Sequence, residues 1–282
     1  MMPPNRLTER LQRFALQRAG TPRAQVAYRR AGSGSITHVL LHGIGSASGS
    51  WLMQLEAAAG TSDTGVLAWD APGYGDTSPV EPLYPRAADY TAQLWAWLDG
   101  LNVHQPIMLV GHSLGALMAT RAAAERPDRV KRLVLLAPAQ GYGKASAAER
   151  NKKLEDRLNQ LKQLGPQDFG QQRGAGMLSP GAPPDMITFA QHNMSQIKVP
   201  GYTQAAHLLA AGDLLDDLAG VTCPVTVASG QLDNATPVDA CKALADAAHT
   251  PWIDLGTVGH ACALEAPNAV NALLNIYQSR NS

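Results

Sequence analysis

The chain predicts an α/β protein with a mostly parallel sheet covered by helices on both faces. Three observations carry that expectation. Short β-like runs alternate with helical patterns through most of the 282 residues, the rhythm of strand–helix–strand units. A glycine-flanked serine, Gly111-His112-Ser113-Leu114-Gly115, sits between an apolar run and an alanine-rich helical stretch. Hydrophobic residues make up 45% and charged residues 16%, enough apolar material for a large core and too little charge for disorder.

Taken in order, Met1 to Gly20 places Leu7, Leu11, Phe14 and Arg18 at helical spacing, with Arg6, Arg10 and Arg13 off that stripe. This predicts a surface amphipathic helix over 1–20, with an Arg-rich transit peptide as the alternative, and no signal peptide. Ala24 to Arg30 reads as a strand, Ser33-Gly34-Ser35 as a turn, and Ile36 to Leu41 as the next strand. Val66 to Asp70 follows as a strand, closed by Ala71-Pro72-Gly73-Tyr74-Gly75. Tyr90, Leu94, Trp97 and Leu98 mark a helix between Tyr84 and Leu101. Pro106 to Val110 is the strand that leads to Ser113, and Leu114 to about Glu125 the helix after it. Arg132 to Ala137, Val225 to Ser229 and Trp252 to Leu255 complete the strands, and Pro267 to Tyr277 is a closing helix. Between Gly141 and about Gly220 the rhythm breaks. Ser146 to Leu164 is helical in pattern, Gly165 to Pro184 reads as a Gly/Pro-rich loop, and two more helical segments follow.

A serine hydroxyl is a weak nucleophile at neutral pH and needs a base; imidazole suits the task, and a carboxylate can hold its tautomer. At a strand-to-helix turn with tiny neighbours, the Ser113 side chain is forced into the open at the positive end of a helix. Downstream, Gly230-Gln231-Leu232-Asp233 follows one strand, with Pro237 four positions on. Gly259-His260 follows the last strand and precedes Glu265-Ala266-Pro267. His42-Gly43-Ile44-Gly45 ends the Ile36-to-Leu41 strand, and Asp70 opens an Asp-Ala-Pro-Gly-Tyr-Gly run. With these motifs, nearly the whole chain outside residues 1–20 resembles the α/β-hydrolase family. The resemblance implies an eight-stranded sheet with a helical cap inserted after the sixth strand. It assigns 21–140 and 221–282 to the core and 141–220 to the cap. It further implies a catalytic Ser113, Asp233 and His260, an oxyanion hole from the backbone N–H groups of Ile44 and Leu114, and loop-shaping roles for His42 and Asp70.

Competing residues are less well placed. His38 and His104 precede the serine, His192 and His207 fall in the cap, and His249 comes before the last strand. Asp239, Asp246, Asp213, Asp216 and Asp217 read as helix faces. Cys223, Cys241 and Cys262 have no metal spacing and read as reduced thiols in a cytoplasmic protein. Lys plus Arg equals Asp plus Glu at 23 each, which predicts no basic field for nucleic acid or anionic membrane. No metal or other cofactor is implied, and no stretch is long enough to span a bilayer.

Trp51, Met177, Leu178, Met186, Ile187, Phe189, Met194, Tyr202 and Leu208 supply apolar pocket candidates, of which Trp51, Met177, Phe189 and Tyr202 are the substrate-binding expectation. Arg173, isolated among glycines, reads either as a solvent-exposed cation or as an anchor for a substrate carboxylate. The expected activity is serine hydrolysis of a small, partly apolar ester or lactone. Carbon–carbon hydrolysis of a ring-cleavage product is the alternative, weakened because such family members often carry Asn where this chain has His112. A ligand-binding protein without turnover is a further alternative, and it would be marked by a lost triad residue.

Overall fold

The computed structural model describes residues 5–22 and 24–276. In chain order its elements are α1 (Arg6–Leu11), β1 (Gln17–Gly20), β2 (Gln25–Ala31), β3 (Ile36–Leu41), α2 (Leu52–Ala59) and β4 (Gly65–Trp69). Next come α3 (Ala87–Gly100), β5 (Ile107–His112), α4 (Leu114–Glu125) and β6 (Val130–Leu136). The helices α5 (Ala147–Ala175), α6 (Pro184–Ser195), α7 (Val199–Ala211) and α8 (Leu214–Leu218) follow without an intervening strand. The chain ends in β7 (Val225–Ser229), α9 (Val238–Ala247), β8 (Trp252–Asp254), α10 (Cys262–Glu265) and α11 (Pro267–Leu273).

All eight strands form one sheet in the order β1-β2-β4-β3-β5-β6-β7-β8. From β3 to β8 the strands run parallel, and β2 pairs antiparallel with both β1 and β4. The parallel strands are buried on both faces, so Val39, Leu40, Leu41, Leu109 and Val110 read as unbroken apolar runs rather than alternating ones. Each such side chain removed from water contributes about 1.5–3 kcal/mol, and two apolar layers, one per face, hold the helices to the sheet. The order reverses around β3, which has β4 on one side and β5 on the other. In open parallel sheets a crevice forms at the carboxyl ends of strands at such a reversal, and Ser113 lies there.

Two expectations are corrected. The stripe of Leu7, Leu11, Phe14 and Arg18 is not one helix. The helix α1 stops at Leu11, and residues 17–20 form the edge strand β1. Leu7, Leu11 and Phe14 are buried, whereas Arg18 pairs with Asp76 across the surface, so helical spacing was shared by two different elements. Residues 165–175 are also not a loop. They continue helically after a kink at Gly165, which adopts φ 68°, with Pro166 just past it where a proline opens a helix readily. Gly170 and Gly174 face α6 so closely that a Cβ on either would lie 2.3 Å from Ser195 N or 2.6 Å from Gln191 Cα. These glycines permit helix contact; they are not loop punctuation.

Smaller shifts trim the ends of elements. The Tyr84-to-Leu101 helix begins at Ala87. The closing helix runs to Leu273, and Tyr277 lies outside the described residues. Among the described residues no helix is long and apolar enough to cross a membrane.

Candidate active site

Ser113 occupies the turn between β5 and α4 with φ 53° and ψ −119°, a left-handed conformation that costs a non-glycine residue of order 1–3 kcal/mol and persists only where surroundings enforce it. The enforcement is visible. Ser113 N–H donates to Leu136 O at 3.0 Å, and Ser113 O accepts from Ala116 and Ala139 N–H at 3.0 and 3.1 Å. A Cβ on Gly111 would fall 2.5 Å from Gly115 O, and one on Gly115 would fall 2.3 Å from Leu41 O. Only hydrogen at both positions lets the helix begin this close to the neighbouring strand.

His260 stands on the loop after β8 and Asp233 on the loop after β7. His260 Nδ1 lies 2.8 Å from Asp233 Oδ2, a geometry in which the carboxylate favours the tautomer with its proton on Nδ1. Asp233 also accepts Ala235 N–H at 2.8 Å, Thr236 N–H at 2.9 Å and the Thr236 hydroxyl at 2.7 Å. Burial alone would raise its pKa; the bonds from His260 and Thr236 outweigh burial and hold the carboxyl below its ordinary range. Thr236 was not among the sequence candidates, although it lies inside the acid loop between Asp233 and Pro237. Glu265 was also missed. It accepts Gly259 N–H at 2.9 Å and Ser179 N–H at 3.0 Å, tying the His260 loop to the segment before α6.

The loop after β3 meets the same place. Gly43 packs on the serine, where a Cβ would lie 2.8 Å from Ser113 Cβ and 3.3 Å from its Oγ. The N–H groups of Ile44 and Leu114 have no hydrogen-bond partner among the described residues, and neither does Ser113 Oγ. His42 is fully committed. Its Nδ1 lies 2.8 Å from Gly43 O and its Nε2 accepts Ala71 N–H at 2.9 Å. Burial lowers its pKa, so it is a neutral brace with no free nitrogen. Asp70 accepts Ser48 N–H at 2.8 Å and braces the adjoining loop. His112 Nε2 donates to His260 O at 2.8 Å; burial, with His260 nearby, pushes its pKa down to about 3. Burial drives the Cys262 thiol well above its usual range, which disfavours the thiolate a nucleophile needs.

Ser113, His260 and Ile44 all line two adjoining spaces. One is walled by Trp51, Met177, Phe189, Met194 and Leu264. The other, a cleft of about 980 Å³ open to solvent, is lined by Tyr142, Arg157, Phe169, Arg173, Met177 and Tyr202. All four apolar candidates therefore border the serine's surroundings, Trp51 and Phe189 in the first space, Tyr202 in the second and Met177 in both. Leu178 and Leu208 instead belong to the buried core. Among the described residues, no three His, Cys, Asp or Glu side chains gather as a metal-holding group.

A sequence model of the alpha/beta hydrolase family matches residues 39–273. The (E)-2-((N-methylformamido)methylene)succinate hydrolase of Acinetobacter baylyi is 31% identical over 257 residues, covering 85% of this chain and 89% of that protein. The 3-oxoadipate enol-lactonase 2 of the same organism is 24% identical over 219 residues, 76% of this chain and 79% of that one. A solved thermophilic esterase from Thermogutta terrifontis shares the fold, with a TM-score of 0.79 at 21% identity over 92% of this chain and 97% of that one. The matched span, the sheet order and the strained serine turn agree: this chain belongs to the alpha/beta hydrolase family and is a hydrolase.

Proposed function

We propose that the protein is a serine hydrolase that cleaves small, partly apolar carboxylic esters or lactones through an acyl-enzyme. One observation carries the reading: the strained Ser113 and the Asp233-bound His260 border one cavity, beside two amide N–H groups with no partner among the described residues. Ser113 Oγ attacks the substrate carbonyl carbon while its proton passes to His260 Nε2. The carbonyl π pair moves onto oxygen, and the Ile44 and Leu114 N–H groups hold the resulting oxyanion. Such donors are worth about 2.7–4 kcal/mol each. Collapse re-forms the carbonyl and breaks the bond to the leaving group, which takes the proton from His260. Water then repeats the sequence, releasing the acid and restoring the Ser113 hydroxyl. Asp233 keeps the ring proton on Nδ1 and stabilises the imidazolium that forms at each step. Residues 141–220 act as the cap over this chemistry, and their apolar side chains select the substrate.

A second reading comes from the relative at 31% identity, whose name specifies an N-methylformamidomethylene derivative of succinate. In that case the same attack opens an acyl–nitrogen bond. Carbon–carbon hydrolysis is less supported, because this chain has His112 where family members of that kind often carry Asn.

The test compares wild type with Ser113→Ala on a short-chain 4-nitrophenyl ester and on an N-acyl enamine. Ser113→Ala is expected to lower kcat by at least about 10³-fold on whichever substrate turns over. Equal rates for the two proteins would sink the serine mechanism.

A further inference from the structure

Ser113 separates an apolar space from a cationic one. Arg157 and Arg173, both from α5, line the open cleft that also reaches Ser113 and His260, and no Asp or Glu lines it. Among the described residues neither guanidinium meets a carboxylate. Arg157 Nη1 donates to the Tyr202 hydroxyl at 3.2 Å. Arg173 Nη1 donates to Gln160 Oε1 at 3.1 Å, and its guanidinium carbon sits 5.8 Å from the centre of the Phe169 ring. Elsewhere in the molecule, Arg10 is matched by Glu56, Arg121 by Glu125 and Asp217, and Arg129 by Asp99, whereas the half-buried Arg29, Arg132 and Arg150 bond neutral oxygens of Phe14, Thr226 and Gly143. Of the arginines without an acid, Arg157 and Arg173 are the two that line this cleft. A guanidinium has five donors and stays charged in proteins, so one neutral contact each leaves most of that capacity open toward the cleft. A partly desolvated cation with no anion is costly to keep. Two on one wall, beside the nucleophile, make a receptor for a planar anion that two forks can grip.

Building on the serine-hydrolase reading, we infer that Arg157 and Arg173 hold a carboxylate at the far end of the substrate. The scissile carbonyl then lies at Ser113 and the apolar portion fills the space beside Trp51 and Phe189. The substrate class narrows accordingly, to esters, lactones or acylated amines that carry a free carboxylate on one side of the scissile bond.

Three esters separate the possibilities: 4-nitrophenyl pentanoate, mono-4-nitrophenyl glutarate with the charge on the acyl side, and the butyryl ester of 4-hydroxybenzoate with the charge on the leaving group. The ratio of kcat/KM for a charged ester to that for the neutral one is expected to exceed about tenfold in wild type, for one of the two charged esters. It should fall by about tenfold in Arg157→Met and in Arg173→Met, and recover in part in Arg157→Lys, which keeps the charge but loses the fork. Glutarate binding, read as a rise in the melting midpoint of the Ser113→Ala protein, should vanish when Arg157→Met is added. If Arg157→Met does not melt cooperatively, Arg173→Met and Arg157→Lys carry the comparison. Equal use of charged and neutral esters, unmoved by the arginine variants and with no shift from glutarate, overturns the carboxylate receptor while leaving the serine mechanism intact. Wild-type turnover by Ser113→Ala would instead overturn the mechanism, and the glutarate shift would still report on the arginines.

Discussion

Asp233 illustrates how one side chain ties chemistry to stability. Its carboxylate is buried, which by itself favours the neutral acid, yet four donors hold it ionised and below its ordinary pKa of 3.8. A carboxyl with a depressed folded-state pKa contributes stability above its unfolded value, and that contribution is lost as pH falls through the folded value. Asp233→Asn keeps the shape but permits the wrong His260 tautomer, so kcat should fall by about 10³–10⁴-fold, with KM changing far less. The stability difference between Asp233→Asn and wild type, measured by urea unfolding, should be largest at neutral pH and shrink below about pH 4. A difference independent of pH would show that the carboxylate's charge is not what the fold uses.

At the scale of elements, the β5–α4 turn works because three chain segments approach within the space of a hydrogen atom. Gly115→Ala would push a methyl group against the Leu41 carbonyl, 2.3 Å away, and the His42 carbonyl, 2.8 Å away. Because strand ends cannot yield as a flexible side chain can, the expected cost is about 1–3 kcal/mol or more. The Ile44 loop should shift with it and kcat should drop. Gly20→Ala, with nothing within 4 Å of its Cβ, should stay within about 0.5 kcal/mol of wild type. Denaturation midpoints of the two variants make the comparison; similar values would refute the packing account.

The same backbone demands explain what the sequence revealed. Ser113, Ile44, Asp233 and His260 sit on turns that need glycine or proline nearby, and such turns leave a readable mark. The edge strand β1 left none, because Gln17 and Arg18 face solvent and its register comes from pairing with β2. Gly165 to Ala175 misled because glycine also serves helix contact, and only the position of α6 distinguishes the two uses. Arg173 could be singled out by its glycine neighbours but not decided between surface cation and anchor, and Arg157 left no mark, since whether a cation has an acid beside it is settled in three dimensions.

Across the whole molecule, three histidines, His38 and His42 buried and His112 partly so, share one direction. His38, His42 and His112 are each held neutral, mainly by burial, with pKa values below their ordinary 6.5. His38 Nε2 donates to Leu274 O and its Nδ1 lies against the Thr37 hydroxyl, at 2.8 Å each; the bond to Leu274 would survive protonation, so it is burial that disfavours the charged ring. In the unfolded chain these rings take up protons near pH 6.5 while the folded protein refuses them. Stability should therefore be level above about pH 7 and decline as pH falls from about 6.5 toward 5. Urea midpoints across that range check this, and a rise on acidification would contradict it.

Sheet, turn and loops together make one claim, that Ser113 is the activated nucleophile. A fluorophosphonate ester tests this most directly, because attack forms a serine oxygen–phosphorus bond, expels fluoride and leaves a stable adduct. Peptide mapping by mass spectrometry after brief labelling should place the adduct on Ser113, with no label in Ser113→Ala and markedly slower labelling in His260→Gln. Label on another residue, or labelling of Ser113 at the same rate without His260, would contradict the account.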